Sequence, residues 1–186
     1  MKVFSARQIR ELAFLTLYLK AFNPDYPLKE CFAFLWDNRQ ELRPSLEKHQ
    51  VLIDEWQEIA QQGQPEPASD LSFVASYGEW PTENLDRPEI PSAYEELVVG
   101  VLAKEQRLNE ELAPCIEGRW SIDRLEDINR LLLHLAAYEM IFVSDEQVPG
   151  VVALNEALEL AKRYTDEQAK KFINGVLAKL LETQKE

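Results

Sequence analysis

The sequence predicts an all-α fold. Apolar residues recur at three- and four-residue spacing in successive segments, no stretch alternates apolar and polar residues as a strand would, and only six of 186 residues are glycine. With 46% apolar residues the chain can bury a sizeable core, and its length suits a single domain spanning residues 1–186.

Ser5 reads as the N-cap of a first helix over Ala6–Phe22, whose buried stripe is Ile9, Leu12, Ala13, Phe14 and Leu17. Asn23-Pro24-Asp25 stops it. Leu28–Asp37 is a short apolar helix with Phe32, Phe34, Leu35 and Trp36, and residues 41–62 form another, with Pro44 tolerated in its first turn. Residues 63–91 hold five prolines and little periodicity, so they read as a long loop, with a short ordered piece at 71–77. A helix follows over 93–112, closed by Pro114. Residues 125–143 are apolar nearly all round at Leu131-Leu132-Leu133 and should be the central helix. Pro149 starts a helix over 151–164, and Thr165 with Gln168 reads as a capping box opening the last, 167–182.

No apolar run reaches the roughly 18 residues that a membrane span needs, and the N-terminus lacks a signal-peptide core, so a soluble, cytoplasmic protein is expected. Cys31 and Cys115 have no metal-ligand spacing and read as buried free thiols. The formal net charge of −13 argues against broad nucleic-acid binding, but its distribution is uneven. Residues 1–22 hold Lys2, Arg7, Arg10 and Lys20 against Glu11 alone, whereas 23–95 carry fifteen acids and five bases.

Enzymatic constellations are absent. His49 and His134 lie on separate helices, and His134, between Leu133 and Leu135, reads as a satisfied, partly buried histidine. There is no Gly-rich phosphate loop, nucleophile elbow or zinc pattern, so the sequence offers no catalytic residue, metal ligand or cofactor site. The binding signal is the first helix, where Arg7 and Arg10 lie one turn apart and can project from one face. Arginine suits phosphate because its planar fork makes two charge-assisted hydrogen bonds at once. A basic first turn alone is more commonly ordinary solvated surface.

The context comes from three ordered segments. They are Trp120-Ser121-Ile122-Asp123-Arg124-Leu125 with Leu135-Ala136-Ala137-Tyr138-Glu139-Met140; Asn155-Glu156-Ala157-Leu158-Glu159-Leu160-Ala161-Lys162; and Lys171-Phe172-Ile173-Asn174-Gly175-Val176-Leu177. Together with Leu97-Val98-Val99-Gly100-Val101 and residues 7–18, they resemble the NusB transcription-antitermination family. Much of this signature reads as scaffold: Asn155 and Asn174 as buried amides tying helices together, Gly175 as a point of close helix approach.

The resemblance implies two roughly perpendicular helical bundles and a non-enzymatic adaptor. Such an adaptor binds boxA-type RNA of ribosomal RNA leaders together with the ribosomal protein NusE, within an antitermination complex on RNA polymerase. It implies RNA contacts at Arg7, Gln8 and Arg10, with Lys2 adding to the basic footprint. Phe172 matches a family position on the RNA surface, where it could stack on a base, or else pack between helices. Asn129 matches a NusE-facing position. Monomers and homodimers are both compatible with the fold. The family's first helix often carries three or four successive arginines and this one has two, while residues 23–93 form an atypical acidic insertion. Both departures favour partner-assisted binding, and both leave open an interaction module on the same fold that has lost RNA binding. A ribosomal RNA methyltransferase with a related helical domain is disfavoured for want of room in 186 residues.

Overall fold

The computed structural model describes residues 4–38, 86–118 and 120–184. The helix expected over 41–62, the piece at 71–77, Lys2 and most of the proline-rich loop lie outside the described residues. Ser5 caps α1 (Ala6–Phe22): its hydroxyl accepts the Gln8 backbone N–H, and the Gln8 side chain accepts the Ser5 N–H. This reciprocal cap satisfies two N–H groups that a helix start would otherwise leave without partners. After the turn at Asn23, α2 (Leu28–Asp37) runs as expected. It buries Phe32, Leu35 and Trp36, so the first part of the acidic stretch belongs to the core. Phe4 packs edge-on against Phe32 and Trp36, with ring centroids 6.2 and 5.9 Å apart.

The helix expected over 93–112 is two helices, α3 (Ser92–Ala103) and α4 (Glu105–Leu112). The break is at Lys104, whose N–H is shared between the carbonyls of Gly100 and Val101. On either side of it, α3 packs chiefly on α1 while α4 packs on the central helix α5 (Asp127–Phe142). Gly100 on α3 is where a side chain has no room, because a Cβ there would run into the Tyr138 ring and hydroxyl. Tyr94, fully buried on α3, shares a 2.7 Å hydrogen bond with Thr16 of α1.

Two short 3-10 turns, Ala113–Cys115 and Ile122–Arg124, lead into α5. Between them Gly118 adopts φ +82°, a left-handed conformation that costs glycine little. Helix α5 is central as predicted: Leu131 to Ala137 are all buried, and it contacts α1, α3, α4, α6 (Gly150–Tyr164) and α7 (Glu167–Thr183). The fold is all-α, with α1, α2 and α3 packed together on one side and α4 to α7 on the other.

Three local expectations are corrected. The cap of α7 is Asp166, whose carboxylate accepts the Ala169 N–H at 2.7 Å, while the Thr165 hydroxyl turns back to the Ala161 carbonyl. Asn155 and Asn174 are exposed, because the buried stripes of their helices run through Ala153, Ala157 and Leu160, and through Ile173, Val176 and Leu180. Gly175 faces open space, so it brings no helices together. Cys31 and Cys115 are buried free thiols, as expected. No helix among the described residues is long and apolar enough to cross a membrane.

Candidate nucleic-acid interface

The charged residues of α1 are placed by packing. Arg7 makes a two-pronged ion pair with Glu156 of α6, Nε to Oε2 at 2.9 Å and Nη2 to Oε1 at 2.6 Å. Arg10 donates through Nε to both carboxylate oxygens of Glu139 on α5, each at 2.9 Å. Glu11 is fully buried, 2.6 Å from the Arg163 guanidinium and from the Tyr164 hydroxyl that donates to it. Lys20 donates to the carbonyls of Pro24 and Tyr26 and so secures the turn after α1.

Arg7 and Arg10, expected to project from one face of α1, differ in exposure. Arg7 is partly exposed, but Arg10 is only 7% exposed and Gln8 only 5%. The physical reason is that α1 is packed between α3 and α5, so its polar positions meet carboxylates of α5 and α6 rather than solvent. Lys2 is outside the described residues.

The remaining predicted residues, Phe172 and Asn129, come together in a groove of about 250 Å³ between the start of α5 and the start of α7. Trp120, Arg124 and Leu125 form its other side. Phe172 is partly buried, packing against the core while also lining the groove, so the two readings of it are compatible. Trp120 is 62% exposed, an unusual position for a large aromatic ring. The Asn129 amide oxygen is buried and has no hydrogen-bond partner among the described residues. A buried acceptor left so costs about 1–3 kcal/mol.

Charge in the groove is mixed, with Arg124 against Glu126 and Asp166, while exposed Lys171 adjoins Phe172 in sequence. An aromatic pair with a hydrogen-bonding amide between charged edges can hold a planar, polar-edged group such as a nucleobase. Sequence reasoning missed Trp120 as a site residue. Its signal was an aromatic residue outside any helical stripe.

His134 is buried on α5, its Nε2 2.6 Å from the Asn109 amide oxygen. Burial, with a smaller contribution from the Arg130 charge, lowers its pKa to about 4. It is the satisfied core histidine that the sequence suggested. Among the described residues no group of His, Cys, Asp and Glu is disposed to hold a metal ion.

The NusB family profile matches residues 79–182. The chain is similar to the transcription antitermination protein NusB of Enterococcus faecalis, at 42% identity over 92 residues, 50% of this chain and 58% of that protein. The corresponding protein of Lactiplantibacillus plantarum is 39% identical over 102 residues, 55% of this chain and 72% of that protein. In three dimensions the chain is similar to antitermination factor NusB as solved with NusE and double-stranded RNA, with TM-score 0.53 and 22% identity over 95% of this chain and 96% of that one. At that identity the likeness concerns the fold.

Proposed function

The chain belongs to the NusB family, and from that membership we propose that it acts as an RNA-binding transcription antitermination adaptor without catalytic activity. It binds boxA-type sequences of ribosomal RNA leaders together with the ribosomal protein NusE, as part of an antitermination complex on RNA polymerase. The observation that carries the proposal is the groove lined by exposed Trp120 together with Phe172 and Asn129. Unpaired bases stack on the two rings. Asn129, at the start of α5, contacts NusE, the role that its family position implies.

Arg7 and Lys2 supply phosphate contacts. Gln8 and Arg10 support them from below, Gln8 by capping α1 and Arg10 by anchoring it to α5. With so few cations engaged, binding by the chain alone is modest and falls with salt, each neutralised phosphate contributing about 0.7 to the logarithmic slope for a single strand. NusE raises it by holding the RNA at high effective concentration.

A second reading, an interaction module without RNA binding, is favoured by the ion pairs that already occupy Arg7 and Arg10. Titration of labelled boxA RNA, with and without NusE at two salt concentrations, separates the two. The proposed function requires salt-sensitive binding strengthened by NusE. Indifference to boxA even with NusE present establishes the second reading.

A further inference from the structure

A larger groove of about 670 Å³ lies where the start of α1, the segment before α3 and the end of α5 meet, sharing no residue with the Trp120–Phe172 groove. We propose that it is a docking surface for an extended peptide of another protein that alternates basic and aliphatic side chains.

Its walls are apolar, built from Phe4, Ile9, Ile90, Leu97, Val143 and Val148. At its floor Arg10 and Glu139 neutralise each other, so no net charge is presented from below. Two further carboxylates line it, Glu89 and Glu96; both are exposed, and neither joins an ion pair among the described residues. The groove is thus apolar inside and acidic at its edge. That pattern repels phosphate and suits arginine or lysine side chains, whose aliphatic stems lie on the walls while their heads reach the rim.

The segment before α3 adds a reason for an extended partner. Residues 86–90 are neither helix nor strand, and their backbone groups enter no backbone hydrogen bond among the described residues. A peptide laid along them gains main-chain hydrogen bonds, as in strand addition to an edge.

The probes are two fluorescein-labelled peptides, acetyl-GLRIRLG-amide and its acidic counterpart acetyl-GLEIELG-amide, titrated with the full chain by fluorescence anisotropy. The basic peptide binds, and the acidic one binds at least about tenfold more weakly. The double variant Glu89→Lys with Glu96→Lys inverts that preference, whereas Trp120→Ala leaves it unchanged. Amide chemical shifts of the wild-type chain give a readout independent of any variant, moving at Leu97, Tyr138, Val143 and Val148 but not at Trp120 or Phe172. Equal or absent binding of the two peptides overturns the proposal. So do shifts elsewhere, or displacement of the basic peptide by boxA RNA, which would make the groove a nucleic-acid site.

Discussion

Arg10 on α1 and Glu139 on α5 lie 129 residues apart in sequence, yet the Arg10 Nε donates to both Glu139 oxygens at 2.9 Å. Both side chains are below 10% exposed. Removing one partner strands the other charge in a buried site. Arg10→Ala should therefore lower stability by about 3–5 kcal/mol in urea unfolding, whereas Arg10→Met with Glu139→Met should recover most of the loss. Loss of RNA binding in Arg10→Ala would report α1 coming loose as much as a lost contact.

Arg7 is the better probe of phosphate binding. Its pair with Glu156 is more open to solvent than the Arg10 pair, so Arg7→Ala should cost about 1 kcal/mol or less of stability. The same variant should weaken boxA binding and flatten the salt slope by about 0.7. Glu156 competes with phosphate for this guanidinium. Glu156→Gln should tighten RNA binding roughly threefold or more at low salt, read in the same titration. An unchanged affinity in both variants would remove Arg7 from the interface.

Two glycines make opposite forecasts. A methyl group at Gly100 would collide with Tyr138, so Gly100→Ala should destabilise by about 1–3 kcal/mol, and Tyr138→Leu in the same chain should relieve part of it. Gly175 lies inside α7 facing open space, so Gly175→Ala should stabilise by up to about 1 kcal/mol. Thermal denaturation of the two variants distinguishes them.

His134 makes folding sensitive to acid. Its folded-state pKa near 4 lies below the ordinary value of 6.5, so between those values the unfolded chain binds the extra proton. The contribution is fully present above pH 6.5 and is lost as pH falls toward 4, by roughly 3 kcal/mol at most. His134→Asn should show a flatter dependence of the urea midpoint on pH across that window.

The reach of sequence reasoning varied with how local the cause was. Helices α1 and α2 were legible to the residue because Ser5 and Asn23-Pro24 are local start and stop signals and the apolar run from Leu28 to Trp36 is compact. The break at Lys104 was not, since no glycine or proline stands at that position to mark it. Asn155 and Asn174 were misplaced because a family motif says which residues recur, not which face of the helix they occupy. The inward turn of Arg10 depends on a carboxylate more than a hundred residues away. Phe172 and Asn129 were recognised singly; that they share a groove with Trp120 follows only from α5 meeting α7.

RNA binding by this chain centres on that groove. The decisive measurement is equilibrium titration of labelled boxA RNA, in the presence of NusE, against the wild-type chain and the variants Trp120→Ala and Phe172→Ala, each checked for folding by circular dichroism. Each truncation should weaken binding roughly five- to a hundredfold with little change in salt slope, because a stacking contact worth about 1–3 kcal/mol is lost and no phosphate contact is. Wild-type affinity in both folded variants would contradict it.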